Sequence, residues 1–339
     1  MNKEECFNIP VVLFFFKRRK AVDIMKKISA IKPTKVYLLG DQGRDDNERL
    51  EVEECRRLVE EVIGWDCEVI KNYAIENRGV YENIGLGAKW VFEQEEQAIF
   101  LEDDNLPEVT FFEYCKQMLE IYKNDTRIFW ICGTNYLGEY DAEDGSSYMF
   151  TKHLLPCGWA SWSEKFNKFY DPNLSLVADN ITLKKVEREY QNRKLFLQYK
   201  ACWSEEYLKF LNGNKPSSWD YHLDFALKAN SLYGISPCRN QIKNIGVDLY
   251  SAHGGTTFSN EMTNRFCGME SYPLGFPLKH PVSLLPDTIY EKKIAELLLF
   301  PLSYRIKYKI LRFVRRILNI PENLTTKQYI KEFHFLKKL

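Results

Sequence analysis

The sequence predicts an α/β fold, a doubly wound and mostly parallel twisted sheet flanked by helices. Two observations carry that expectation. Up to Asp104, short apolar runs and helix-patterned stretches alternate four times, and the connections between them are short. Residues 9–16 (Ile-Pro-Val-Val-Leu-Phe-Phe-Phe) form an apolar run of strand length. Val22, Met25, Ile28 and Ile31 then recur at three-residue steps, an apolar stripe on a helix that Pro33 ends. A second strand over 35–39 leads into Gly40-Asp41-Gln42-Gly43, and a charged helix follows over 46–63. The third strand falls at 67–70, Asn77-Arg78-Gly79 forms a loop, and 84–92 is helical.

The fourth strand, Ala98-Ile99-Phe100-Leu101, runs directly into Glu102-Asp103-Asp104, and Pro107 is expected to stop it. Crowded carboxylates raise one another's pKa, so three acids at the mouth of a buried strand call for a positive partner. A hard divalent cation is the simplest such partner. A solvated turn or helix cap is the plainer alternative, since Asp and Asn are common there. Topology bears on the choice, because open α/β sheets bind ligands beyond the carboxyl ends of their strands. The loops at Asp41, Arg78 and Glu102-Asp103-Asp104 all follow strands at that edge, which favours a metal and a nucleotide crevice. Neither the Gly-x-Gly-x-x-Gly nor the Gly-x-x-x-x-Gly-Lys-Ser/Thr pattern occurs, so a dinucleotide fold and a P-loop are not supported.

Further along, 111–114 (Phe-Phe-Glu-Tyr) starts an amphipathic helix, 127–132 is a strand, and the polar segment 133–147 is expected to be an exposed loop. Gly158-Trp159-Ala160-Ser161-Trp162 suits a flat wall for a sugar ring and a packed core corner equally well. Residues 180–211 are helical and charged, a solvated face. Ser217 or Ser218 can cap a helix on which Asp220 and Asp224 share one face at i, i+4. A carboxylate in that aromatic setting can act as a general base, or the pair can serve as cap and surface ion pair. His253, beside two glycines in a loop, is a further candidate functional residue.

Composition narrows the classes. Lys+Arg and Asp+Glu both number 47 in the 339 residues, so no global field points to nucleic acid. The nine cysteines form no Cys-x-x-Cys and no Cys/His cluster. They predict unpaired thiols in a reducing, cytoplasmic compartment and no structural zinc. The run at 9–16 is too short to span a membrane.

Taken in order, the acidic stretch with Phe111-Phe112-Glu113-Tyr114, the Gly158–Trp162 stretch, Trp219-Asp220-Tyr221-His222, Asn244-Ile245-Gly246 and Ala252-His253 resemble the glycosyltransferases of the GT-A fold. The likeness covers roughly residues 8–260. It is nearest to the inverting branch typified by N-acetylglucosaminyltransferase I and its bacterial HlpA-like, family 2 relatives. The resemblance implies a metal-dependent transferase using a nucleotide diphosphate sugar, a UDP-sugar first among candidates, and a hydroxyl acceptor on a glycan or lipid-linked oligosaccharide. It implies that Asp104 contacts Mn2+ or Mg2+ and that Glu102 and Asp103 contact ribose and donor sugar. Asp41 and Arg78 would meet the nucleotide, and Trp159 would line the donor site. Asp220 would be the base, with Asp224 kept in play because the family carries paired aspartates where this chain has Trp-Asp-Tyr. His253 would meet the metal or the diphosphate. A non-catalytic binder of the same fold, or a metal-dependent phosphoester hydrolase, is the alternative.

The expected organisation is a catalytic domain over 1–285, with a donor-binding half at 8–135 and an acceptor-side half at 136–285, followed by a helical basic tail over 286–339. Residues 303–318 carry Arg305, Lys307, Lys309, Arg312, Arg315 and Arg316 and no acid, with Ile306, Ile310, Leu311, Phe313, Val314, Ile317 and Leu318 expected on one helical face. That pattern fits an interfacial helix touching a membrane surface through about residues 300–320, or a helix packed on the domain with a basic outer face.

Overall fold

The structure, a computed structural model, describes residues 6–248, 261–318 and 320. Its first half follows the predicted alternation. Strand β1 (Val11–Phe15) leads to α1 (Ala21–Ser29), β2 (Lys35–Gly40) to α2 (Asp46–Glu61), and β3 (Glu68–Tyr73) to a π-helical turn at Tyr81–Leu86 that continues as α3 (Gly87–Phe92). Then come β4 (Gln97–Glu102), the short β5 (Asn105–Pro107), α4 (Thr110–Ile121) and β6 (Ile128–Cys132). The second half holds β7 (Tyr148–Thr151), β8 (Trp159–Trp162), α5 (Ser163–Phe169), α6 (Asn180–Glu189), α7 (Arg193–Leu211) and α8 (Asp220–Ala229). It closes with β9 (Tyr233–Pro237), β10 (Ile242–Asn244), α9 (Glu261–Phe266), α10 (Thr288–Leu298) and α11 (Leu302–Ile317).

Eight strands form one sheet in the order β3-β2-β1-β4-β8-β6-β9-β7. The first four are parallel, with Phe14 opposite Glu102 and Phe15 opposite Gly40, so the carboxyl ends of β1, β2 and β4 finish level. Strand β8 then runs antiparallel between β4 and β6, while β6 and β9 pair in parallel and β7 closes the edge antiparallel to β9. The sheet is thus the mixed, mostly parallel α/β sheet of the expected class, flanked by helices and followed by a helical extension.

Because side chains alternate across a strand, β1 feeds both faces of the sheet. Val11, Leu13 and Phe15 join α1, α2 and α4 through Ile24, Met25, Cys55, Val59 and Phe112. Val12 and Phe14 join the other layer with α3, α5, α8 and α10, where Val91, Phe166, Leu223 and Ile294 are buried. Tyr290 and Ile294 of α10 are fully buried, so this helix of the C-terminal segment packs into the same layer. A third cluster around Trp203, Phe196, Val186 and Phe225 joins α6 and α7 to α8, so the inner faces of these charged helices are core.

Three local expectations change. Pro107 is not what stops β4, which ends at Glu102: it is the last residue of β5, which pairs antiparallel with β10, Pro107 opposite Ile242, in a two-stranded ribbon where a residue without an N–H is tolerated. The segment 133–147 is only partly exposed, because Thr134, Asn135 and Tyr136 are buried and the Asn135 side chain bonds the Pro237 carbonyl at 3.0 Å. Trp159 is a core residue. It stacks on Phe100 at 3.9 Å and on Trp130 at 4.1 Å between ring centroids and is about 1% exposed, so it offers no face to a sugar.

None of the nine cysteines, all among the described residues, is joined in a disulfide. Among the described residues no helix is long and apolar enough to cross a membrane.

Truncation of a fully buried indole in such a stack costs on the order of 3–5 kcal/mol. Trp159→Ala should therefore lose that much stability in urea unfolding, whereas a loss below about 1 kcal/mol would contradict the core assignment.

Candidate active site

A cleft of about 670 Å³ opens at the carboxyl ends of β1, β2 and β4. The register that levels those ends brings four loops to one place. After β1 comes Phe16-Lys17-Arg18, after β2 Asp41, and after β4 the three acids; the amino end of α8 adds Asp220.

Arg18 is the positive partner of the acids. Its Nη1 lies 2.8 Å from Asp104 Oδ2 and 3.3 Å from Asp103 Oδ1, and its Nε lies 3.6 Å from Asp248 Oδ1. The Phe16 N–H donates to Asp103 Oδ2 at 3.1 Å, so Asp103 is held from the β1 loop twice. Asp104 Oδ1 accepts from the Asn105 amide at 2.6 Å, and Asn105 Oδ1 in turn accepts the Gly158 N–H at 2.8 Å. The Asp104 carbonyl accepts the Ile245 N–H at 2.8 Å, and a Cβ on Gly246 would meet the Asp104 carboxylate, so only glycine fits against it. Lys20 fastens the same loop through the Ile245 carbonyl at 2.5 Å and Asp248 at 2.7 Å.

Burial, then the charges of Asp104, Asp103 and Asp220, push the Glu102 carboxyl well above the usual range. Burial pushes Asp103 up to about 7, against the pull of Arg18 and the Phe16 N–H. Glu102, Asp103, Asp104 and Asp220 all line this one cleft, so the start of α8 and the acidic turn share it.

Asp220 is the pocket-facing acid of α8. The Ser218 hydroxyl donates to Asp220 Oδ1, and Ser218 Oγ accepts the Tyr221 N–H at 3.2 Å, which makes Ser218 the helix cap. Asp224, one turn on, is not in the cleft. It is about 3% exposed, near Tyr190, Tyr199 and Lys228, and its Oδ2 accepts no hydrogen bond among the described residues. The shared helical face does hold for both, but it runs from cleft mouth into core, so depth separates them.

The nucleotide candidates also divide. Asp41 lines the cleft, yet its carboxylate is occupied by the loop itself, accepting from the N–H groups of Gln42, Arg78 and Gly79 at 2.8, 2.7 and 2.9 Å and from the Asn77 amide at 3.1 Å. It shapes the 77–79 loop. Arg78 turns its guanidinium onto Asn72 Oδ1 at 2.9 Å and contributes nothing to the cleft lining. Asn77 and Gly79 take that place. His253 lies outside the described residues. Arg18, Lys17 and Arg44 line the cleft without having been singled out from sequence. The signal was present: Lys17-Arg18-Arg19-Lys20 is a run of four cations directly after β1, and a central strand's carboxyl end is where ligands bind.

Among the described residues no group of three or more His, Cys, Asp or Glu side chains is arranged to hold a metal ion by itself. A cation bound to a phosphate ligand needs less, commonly one or two carboxylates with phosphate oxygens and water completing the shell. Asp104 lines the cleft, with Arg18 on its Oδ2 and the Asn105 amide on its Oδ1.

No protein-family model matches the sequence, and no curated protein matches it. Among solved structures the chain is similar to WbbM, a bifunctional glycosyltransferase in its apo form, at 9% identity and a TM-score of 0.33, over 68% of this chain and 38% of that one. It is also similar to a UDP-glucose pyrophosphorylase complexed with UDP-glucose, at 10% identity and a TM-score of 0.32, over 69% of this chain and 92% of that one. The chain thus spans under half the length of WbbM. Likenesses this distant carry no argument about activity, which rests on the cleft.

The depth of Asp224 has a pH signature. Burial, reinforced by Asp220 and opposed by Lys228, pushes its carboxyl from 3.8 up to about 7. Between those values the native state keeps a proton that the unfolded chain has released, so stability falls as pH rises, by at most about 1.4 kcal/mol per pH unit. Asp224→Asn removes this loss. Urea unfolding should show the variant gaining on wild type between about pH 4 and about pH 7, and parallel stability curves would contradict the assignment.

Proposed function

We propose that this chain is a metal-dependent inverting glycosyltransferase of the GT-A class, moving a sugar from a nucleotide diphosphate donor to a hydroxyl acceptor in glycan synthesis. One observation carries the reading. The Glu102-Asp103-Asp104 turn at the carboxyl end of β4 and Asp220 at the start of α8 line one cleft, which Lys17, Arg18 and Arg44 also line. Cations suit a diphosphate, and a carboxylate in the same cleft suits a proton leaving a hydroxyl.

In this mechanism the donor lies with its diphosphate toward Arg18, Lys17 and Arg44 and its base toward Asn77 and Gly79. Asp104 would hold a divalent cation together with the phosphates; such a cation supplies Lewis-acid stabilisation of the departing diphosphate. Asp220 accepts the acceptor hydroxyl proton while that oxygen attacks C1. The new C1–O bond forms as the bond to the diphosphate oxygen breaks on the opposite face, which inverts the centre. Ser218 orients the Asp220 carboxyl, since its hydroxyl occupies Oδ1 and leaves Oδ2 for the acceptor. UDP is the donor nucleotide of first choice, and hexose or N-acetylhexosamine the sugar. The free cysteines fit a cytoplasmic enzyme, and a glycan or lipid-linked oligosaccharide is the acceptor class.

General-base assistance contributes about 10²–10⁴-fold. Asp220→Asn should therefore lose about that factor in turnover while keeping donor affinity, and unchanged turnover would remove Asp220 from the role. Asp104→Ala should abolish the dependence of UDP-sugar binding on Mn²⁺ in calorimetry; normal metal-dependent binding in that variant would refute the metal assignment.

A further inference from the structure

The C-terminal helix α11 is anchored to the domain but turns its apolar stripe away from it. The anchor lies just before the helix. The Gln198 amide of α7 donates to the Leu298 carbonyl at 2.9 Å, and its Oε1 accepts the Phe300 N–H at 2.7 Å. Arg265 of α9 donates to the carbonyls of Leu297 and Leu299 at 3.1 and 2.9 Å. Tyr308, 44% exposed, lies on the side of α11 near Cys202 and Glu205 of α7.

The rest of the helix is organised for something else. Leu302, Ile306, Ile310, Phe313 and Ile317 recur at steps of three or four and share one face. They are 63%, 48%, 56%, 66% and 61% exposed, on a helix where Val314 and Arg305 are half-buried. At 100° per residue, the exposed Lys309 and Arg316 border the stripe on one side and the exposed Lys307 on the other. No acid occurs from Leu302 to Ile320.

We propose that α11 is an interfacial helix that seats this chain on an anionic lipid surface, its apolar stripe among the acyl chains and its flanking cations on the phosphate headgroups. Charge decides for lipid over the other occupants. A second copy packing the same face two-fold would set these cations against their own kind. The following residues, 321–339, carry four lysines and two glutamates, so they share the sign of the helix instead of complementing it. An anionic bilayer meets both features of the stripe. The proposal is independent of the chemistry in the cleft, though an acceptor carried on a lipid would be met at such a surface.

The test is sedimentation of the full chain with phosphatidylcholine vesicles, with and without phosphatidylglycerol. Binding is expected only with the anionic lipid and should weaken as salt rises. Lys309→Ala and Arg316→Ala should each lower partitioning by about fivefold, and Phe313→Asp should abolish it while circular dichroism and thermal unfolding stay at wild-type values. Equal binding to neutral and anionic vesicles, or full binding by Phe313→Asp, overturns the proposal. So does a chain that ignores vesicles, including one that elutes as a dimer split by Phe313→Asp, which would assign the stripe to a second copy. If Phe313→Asp fails to fold, the two cation variants decide: unchanged partitioning in both overturns it.

Discussion

The ion cluster of Arg18 with Asp103 and Asp104 is the constraint on which the rest of the cleft depends. Three adjacent carboxylates at the end of a buried strand repel one another and lose hydration, and a buried charge without a partner is expensive. Arg18 offsets two of them at 2.8 and 3.3 Å, and the Phe16 N–H supports one of the two. Because Arg18 belongs to the loop after β1 and the acids to the turn after β4, the cluster ties together neighbouring strands whose register already aligns their ends. The turn is then pinned from its far side by Asn105, Ile245 and Gly246. A site built this way is held before any ligand arrives.

The place of Asp220 is set by a different force. Helix α8 is amphipathic in depth more than around its circumference: Asp220 stands at the cleft, while His222, Leu223 and Leu227 are buried against the sheet layer. Behind it, the column Phe100, Trp159 and Trp130 fills the centre of that layer with stacked rings. This apolar slab gives the acidic turn and the amino end of α8 a common rigid support, which is what a site with fixed geometry needs. Much of the aromatic content of the described residues packs inside in this way.

Much of the fold was legible. The first four strands and their helices follow from apolar runs and three-residue stripes, because those patterns report local burial and need no knowledge of distant partners. The acidic turn and Asp220 were legible for a related reason: charged residues beside apolar runs stand out wherever the chain goes. Strand β8 was not, since four residues around two tryptophans have no period to show, and its antiparallel place between β4 and β6 comes from pairing with residues far away in sequence. The ribbon of β5 and β10 joins residues more than a hundred positions apart and was equally hidden.

By itself the sequence determined the alternating architecture, the acidic turn at a strand end, the aspartate at the start of α8 and the basic amphipathic helix of the tail. Tertiary structure alone decided which groups those features meet. It chose Arg18 as the partner of the acids, turned Asp41 into a loop brace, sent Arg78 to Asn72, put Trp159 in the core and separated Asp220 from Asp224 by depth. The physical reason is common to all five. Periodicity and composition record whether a residue prefers water or the interior, whereas the role of a charged or aromatic side chain depends on what the folded chain brings within a few ångströms of it.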